Sequence, residues 1–482
     1  MKTRIALFGL ILFGIFLFES FYNPVPDPNE NQYIVIGWND LGMHCSNKDF
    51  SKMAVLPPYN NLYAQIIKVG DENNNPEVIT SGFNISYEVP GNTYSVGKTN
   101  FWDYAEQLFG VNLPDNIGLT GAGLSGDMEI QENHFWKEAI PITPYTDDDL
   151  INEDPYQLAL LQAYDDQNNL LASTQPVIPV SNEIGCVGSG CHSSETNILY
   201  EHEDEGGFDP NDTPILCAEC HSSNALGTPG TPGLESFSEV IHDEHSDETN
   251  DCYKCHPGSE AQCLRGVMHG EGMICQDCHG SVANVAQTIA NGREPWLEEP
   301  QCGATDCHGP DYAEEPNKLF RQSKGHGGLY CSACHGSPHA ILPSTNDRDN
   351  VQNIALQGYE GTLQECTVCH GVAPTGTGPH GILATEIKEI SAGTHNGDKI
   401  ENVYPNPSSE NVKISFTLTN AARIDISLFS MNGQKVATLI KRNMGSGKYE
   451  VSFNTSEQSE GIYLVVFDNG KNKFEKKLII SR

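Results

Sequence analysis

The sequence predicts a multidomain chain. It has a mainly β domain near the N-terminus, a loop-rich middle of short helices that lacks apolar runs of its own, and a small β-sandwich at the C-terminus. Three observations predict this. At 482 residues the chain is too long for one ordinary core. With 38% apolar residues, 46 glycines and 28 prolines, it is too apolar for wholesale disorder and too rich in breakers for a helical bundle. The net charge of −37 is also unevenly spread: residues 401–482 carry 11 basic and 8 acidic side chains, the rest 16 and 56. A change of sign at one point marks a separate C-terminal unit, with Pro405, Pro407, Ser408 and Ser409 at the joint. The acidic balance excludes a nucleic-acid backbone or an anionic lipid surface as partner.

Residues 1–20 open with Lys2 and Arg4, continue through an uncharged apolar run at 5–18 and end at Glu19 and Ser20, the pattern of a secretory signal peptide. The alternative, an uncleaved anchor, needs about 20 apolar residues, and the run is shorter. No cysteine follows it, so a lipoprotein signal is not supported.

Residues 33–180 alternate in short stretches that read as strands at 33–38, 62–69, 83–89 and 157–164, with a short helix at 101–109. The role of this mainly β domain is not legible. Met43, His44 and Cys45 stand together, soft ligands suited to copper with His134 as a remote fourth. Against that, neighbouring side chains on a strand point to opposite faces, and Cys45 has a possible disulfide partner in Cys263.

The cysteines decide the character of residues 183–400. Fourteen of the sixteen fall into seven pairs whose second member is followed directly by histidine, leaving Cys45 and Cys263. Five pairs have the spacing CxxCH: Cys217, Cys220 and His221; Cys252, Cys255 and His256; Cys275, Cys278 and His279; Cys331, Cys334 and His335; Cys366, Cys369 and His370. Each reads as a site of covalent c-type haem attachment. Composition alone would give roughly 0.02 such matches. Zinc ribbons and disulfides also use paired cysteines, but neither accounts for a histidine attached to every pair.

Two further motifs, Cys186, Cys191 and His192, and Cys302, Cys307 and His308, have four residues between the cysteines. Two thiols must reach one edge of a rigid porphyrin while the next imidazole comes under the iron. Two intervening residues suffice, and four serve if the extra pair bulges outward, which Gly185, Gly188, Gly190 and Gly303 would ease.

With CSACHGSPH at 331–339 and CTVCHG at 366–371, residues 183–400 resemble an extracellular or periplasmic multihaem c-type cytochrome. The resemblance implies seven covalent haem c groups. The motifs begin only 23 to 35 residues apart in sequence poor in apolar runs, so the porphyrins are expected to supply the buried apolar surface.

Seven irons need seven sixth ligands. Eight histidines outside the motifs follow residue 186: His202, His242, His245, His269, His326, His339, His380 and His395. That supply predicts bis-histidine ligation with one histidine to spare. Methionine would raise the potential, but only Met268 and Met273 lie in this region. His339, four residues after His335, shares a face with the proximal ligand on a continuing helix and is expected to serve a neighbouring haem. His269 and His326, six and five residues before a motif, follow the same logic, and His242 and His245 compete for the role of spare.

From 401 onward, alternating stretches at 412–418, 423–430, 434–439, 449–453, 462–467 and 473–480 with turns at Asn432-Gly433 and Asn469-Gly470 predict a β-sandwich. YPNP at 404–407, NGQKV at 432–436, GIYLVV at 461–466 and the terminal KKLIIS resemble the C-terminal sorting domain of type IX secretion substrates. The resemblance implies the type IX secretion machinery as a partner, passage across the outer membrane and removal of the tail.

The expected product is a secreted or cell-surface electron-transfer protein rather than an enzyme, exchanging electrons with other redox proteins, partner cytochromes or extracellular acceptors. Two alternatives stand beside it. One is a multihaem reductase of nitrite, hydroxylamine or a sulfur oxyanion with one open haem; the other is a subunit of a conductive cytochrome filament.

Overall fold

A computed structural model describes residues 32–482 apart from 204–205, 259, 373, 375–377, 382–385 and 393–396. The signal peptide and His395 lie outside the described residues. Among these residues the chain is mostly β, with short helices through its middle.

With two small sheets beside them, two larger antiparallel sheets build the N-terminal part. In one, Tyr33–Trp38 pairs with Leu62–Lys68, which also pairs with His134–Lys137 and Glu77–Ile79. In the other, Leu160–Asp165 lies between Phe83–Glu88 and Leu170–Thr174. Val35, Leu62, Ile66, Ile85, Phe135 and Leu161 join the two sheets in one core. The predicted strand at 157–164 is two strands: Tyr156–Leu158 pairs with Val177–Ser181 and Leu160–Asp165 with the second sheet, because Ala159 turns its amide to the Pro176 carbonyl. The helix Phe101–Phe109 buries Phe101, Ala105 and Leu108, one face at helical spacing, and ends at Gly110 with φ 68°.

Tyr33–Trp38 is buried on both faces. Val35 faces the second sheet, while Ile34, Ile36 and Trp38 pack on Tyr330, Ala333 and Val368 from the middle of the chain. The free edge of this strand is closed by the Gln352 carboxamide, which accepts from the Gly37 amide at 2.8 Å and donates to the Gly37 carbonyl at 2.9 Å. The mainly β unit and the central region therefore share a core and buried hydrogen bonds.

At their junction Arg265, 1% exposed, donates from Nε and Nη2 to Asp349 at 2.6 and 2.8 Å and from Nη1 to the Gly42 carbonyl at 2.5 Å. Its guanidinium lies 4.8 Å from the Tyr156 ring centroid.

The middle of the chain consists of helices of eleven residues or fewer joined by turns. No hydrophobic cluster among the described residues is built from this part alone; Tyr330, Ala333, Val368, Leu216 and Ala218 join clusters anchored in the N-terminal unit. Leu234, Ile274, Leu297 and Val372 are exposed.

The C-terminal unit is a sandwich of two four-stranded antiparallel sheets. One runs Glu386–Ala392, Gly447–Asn454, Asn411–Leu418, Lys399–Tyr404; the other runs Lys435–Met444, Ala422–Ser430, Gly461–Asp468, Lys473–Ile480. Val412, Ile414, Phe416 and Leu418 from one sheet meet Ile424, Ile426, Leu428, Val465 and Phe467 from the other. Six strands match the alternating stretches, and two more, Lys399–Tyr404 and Glu386–Ala392, begin before residue 401. The Asn432-Gly433 turn has Gly433 at φ 83°, a left-handed conformation that favours glycine.

Candidate metal centres

Most of the seven motifs fold as one tight turn. Cys217–Cys220, Cys275–His279, Cys331–His335 and Thr367–His370 are single helical turns, and Cys252–Lys254 is a 3-10 turn. A CxxC spacing on such a turn puts both thiols on one side. The closing bond is the histidine amide to the first cysteine carbonyl: His221 to Cys217 at 3.1 Å, His256 to Cys252 at 2.9 Å and His370 to Cys366 at 2.9 Å.

The two longer motifs close with the same bond, His192 to Cys186 and His308 to Cys302, both at 3.1 Å. Their extra residues bulge without changing how the first cysteine meets the histidine. Only some of the glycines serve that bulge. Gly190 has φ 81°, whereas Gly185 and Gly303 permit close packing: a Cβ there would lie 2.0 Å from the Lys254 carbonyl oxygen and 2.4 Å from Ala313.

No disulfide joins any of the sixteen cysteines, and Cys45 and Cys263 lie near enough for Cys263 to influence the ionisation of Cys45. Burial pushes the Cys217, Cys302, Cys334 and Cys369 thiols up to about 12, so they are protonated at neutral pH. Bare zinc takes three or four protein ligands drawn from Cys thiolate, His imidazole and carboxylate. Among the described residues no three His, Cys, Asp or Glu side chains come together to hold a metal ion.

The histidines come together in pairs. His192 faces His245 at 6.2 Å between ring centroids, His221 faces His202 at 6.1 Å, and His256 faces His242 at 6.2 Å. His279 faces His339 at 6.3 Å, His335 faces His380 at 6.0 Å, and His370 faces His326 at 6.0 Å. Every pair joins one motif histidine to one from outside the motifs. With metal–imidazole bonds of about 2.0–2.1 Å, two imidazoles ligating one ion from opposite sides have centroids roughly 6.3 Å apart. Two histidines cannot satisfy a metal alone, but they suit an ion whose other four positions a porphyrin fills. The cysteine pair beside each motif histidine suits the porphyrin's attachment, so the residues fit haem.

The second ring nitrogen is committed in six of these histidines. Nδ1 of His242 bonds the Ser238 carbonyl at 2.6 Å, that of His245 the Ile241 carbonyl at 2.9 Å, and that of His221 the Glu235 carbonyl at 2.9 Å. Nδ1 of His339 bonds the Leu41 carbonyl at 2.9 Å and that of His380 the Asp311 carbonyl at 3.2 Å. His192 is different: its Nδ1 meets the Glu201 carboxylate at 2.9 Å. A donor at Nδ1 leaves Nε2 as the ligating nitrogen.

Burial holds His256, His279 and His335 down at about 4, so their imidazoles are neutral at pH 7. The Cys263 thiol has the opposite effect on His339, which the attraction of a thiolate and their hydrogen bond raise to about 9. Ligation of iron by His339 would displace that proton.

His308 is the exception among the motif histidines. Its described aromatic neighbour is Tyr312, at 6.1 Å, and Tyr312 stacks on His380 at 4.7 Å. His269 lies in the turn Val267–Gly270 and is not paired with a motif histidine among the described residues.

His44 and His134, weighed against a disulfide or structural role as copper ligands, do not meet in one site. His44 Nε2 is bonded to the buried Asp40 at 2.7 Å, and His134 Nδ1 meets the Tyr330 hydroxyl at 3.0 Å. Each imidazole is already satisfied in a separate buried contact. Sequence reasoning also missed Glu201, the carbonyls behind the histidines, and the Arg265–Asp349 pair. The carbonyls of Ser238 and Ile241 are four residues before their histidines, a helical signal; the others carry none.

Residues 402–481 match the family of secretion system C-terminal sorting domains. No curated protein matches the chain. Among solved structures, dimeric latent PorU from Porphyromonas gingivalis aligns with 93% of this chain at 11% identity and a TM-score of 0.15. The chain spans 34% of that protein's length, and so low a score carries no argument about fold. The sorting domain directs export by type IX secretion to the cell surface or beyond, with the secretion machinery as partner. Among the described residues no helix is long and apolar enough to cross a membrane.

Proposed function

We propose that the protein is an exported multihaem c-type cytochrome that relays electrons between redox partners or extracellular acceptors. The observation that carries this reading is the opposition of six motif histidines to six others at 6.0–6.3 Å. Haem, when bound, supplies a reversible one-electron iron couple. The cysteine pairs would hold it covalently, and the facing histidines would ligate its iron. The carbonyls behind Nδ1 fix each imidazole's tautomer and orientation, which limits reorganisation as charge changes. The turns that carry the cysteine pairs and the scarcity of core in the central region support a fold completed by the cofactor.

A second reading has one specific observation in its favour. His308 neighbours Tyr312 and has no facing histidine partner among the described residues; the phenol could supply a proton to a small oxyanion bound beside a haem held there, as a reductase would require. Spectroscopy separates the two. A relay shows low-spin ferric spectra throughout, binds carbon monoxide poorly when reduced, and reduces nitrite or hydroxylamine slowly without saturation. A high-spin fraction with saturable turnover would replace the relay by the reductase. A filament would sediment as a concentration-dependent polymer.

A further inference from the structure

We propose that the loop 39–42 of the N-terminal unit is a positioning element for one electron-transfer centre: it orients His339 as the axial ligand opposite His279 and so tunes the potential of the centre held by Cys275 and Cys278. The inference rests on the proposed haem reading and goes beyond it. It gives the mainly β unit, which carries no attachment motif, a part in the redox chemistry.

The partners of the imidazoles single out this place. The carbonyls that meet Nδ1 of His221, His242, His245 and His380 belong to the central region itself. His339 differs from these four: its Nδ1 lies 2.9 Å from the carbonyl of Leu41, in the N-terminal unit. A proton donated from Nδ1 to a carbonyl fixes the ring's rotation and makes Nε2 a more basic ligand. A more basic axial ligand favours ferric over ferrous iron and lowers the potential.

Leu41 is held in place by its neighbours. The Asn39 carboxamide, 1% exposed, accepts from the Leu41 and Gly42 amides at 3.2 and 2.9 Å and donates to the Asn61 carbonyl at 2.9 Å. The buried Asp40 carboxylate meets the Asn61 carboxamide at 2.8 Å and the His44 imidazole at 2.7 Å.

The central region grips the same loop. Three of its carbonyls take central side chains: Asn39 from the Ser337 hydroxyl at 2.7 Å, Leu41 from His339, and Gly42 from Arg265 at 2.5 Å. The carbonyl of His339 itself accepts from the Arg265 and Gly266 amides at 2.9 and 3.1 Å. Backbone and ring of His339 are therefore both fixed, the backbone from the central region and the ring from the N-terminal unit.

Gly42 is the point of closest fit. It has φ 87°, and a Cβ there would lie 3.2 Å from Cβ of Ser337 and 3.4 Å from Cβ of His339. Gly97, in the same unit, has the same φ of 87° with nothing within 4 Å of its Cβ position. Alanine strains the backbone at both positions, but only at Gly42 does it press the loop against His339.

The test is a redox titration of the haem-loaded full chain with each centre followed separately by nuclear magnetic resonance. His339→Met should raise the potential of the Cys275 centre, which identifies its ligand. Gly42→Ala should raise the potential of that same centre and leave the others in place. Gly97→Ala should cost stability and move no potential. Equal effects from the two alanines, no shift from Gly42→Ala, or a shift spread over several centres would overturn the positioning role.

Should Gly42→Ala fail to fold, Ser337→Ala deletes one of the three bonds without adding an atom and should shift the same centre in the same direction. The unmodified protein gives an independent reading: the Nδ1 proton of His339 should exchange with deuterated water more slowly than that of the exposed His202. Exchange as fast as at His202 would overturn the proposal. A chain with no added haem mass would fail the underlying reading instead, a result distinct from a loaded chain whose Cys275 centre ignores the loop.

Discussion

Replacing Arg265 by methionine should cost about 3–5 kcal/mol of folding stability. The magnitude follows from what the substitution strands. Asp349, with its side chain 2% exposed, would lose both guanidinium bonds and keep only the Ser344 hydroxyl at 2.6 Å. The Gly42 carbonyl would lose its donor, and the Tyr156 ring its cation. Methionine roughly preserves the buried volume, so the cost is electrostatic rather than a cavity. Removing the partner as well, in Arg265→Met with Asp349→Leu, should recover much of the loss, because the uncompensated buried charge is gone. The assay is urea unfolding of the haem-loaded chain, read by proteolytic susceptibility of identified fragments. Because Arg265 ties Gly42 to the helix Asp347–Gln357, fragments of the N-terminal sheets and of the central region should shift together while the C-terminal sandwich keeps its midpoint. A shift below about 1 kcal/mol, or one confined to the central region, would refute the reasoning that the two parts form one cooperative unit.

Three further outcomes are expected. Deleting residues 401–482 should abolish delivery to the cell surface while the remaining chain still loads haem, checked by fractionation and haem stain, since the attachment motifs all precede the tail. Burial holds His134 at about 4 in the folded protein against 6.5 as its ordinary value, so between those values the unfolded chain binds the extra proton and stability rises with pH. His134→Gln, which does not titrate, should reduce the slope of the stability profile over that range. Residues 195–251 hold fifteen carboxylates and no Lys or Arg. Stopped-flow exchange should therefore be faster with cationic than with anionic redox reagents, and the gap should narrow as salt rises.

The legibility of the chain followed the range of its interactions. The strands of the C-terminal sandwich could be read because alternation and turn residues are local properties. The tight turns of the cysteine motifs could be read because a cysteine pair and its histidine are local in sequence. The sequence count of eight outer histidines for seven motif histidines bounded the ligation, but which faces which depends on contacts such as His339 with His279 that no spacing encodes. The helix Asp347–Gln357 gave no signal, since Asp349, Asn350, Gln352 and Asn353 look solvated yet are buried and hydrogen-bonded. The run at 33–38 pointed to a strand; that both its faces are covered became visible only with Tyr330, Ala333 and Val368 packed against it.

The central claim is that seven cysteine pairs each hold one haem. Intact mass spectrometry of the exported protein, denatured and treated with acid to strip non-covalent cofactor, tests it directly. The account predicts a mass above that of the polypeptide by seven haem groups. An increment of five would mean that the Cys186 and Cys302 sites are not used, and a mass equal to the bare polypeptide would contradict the account.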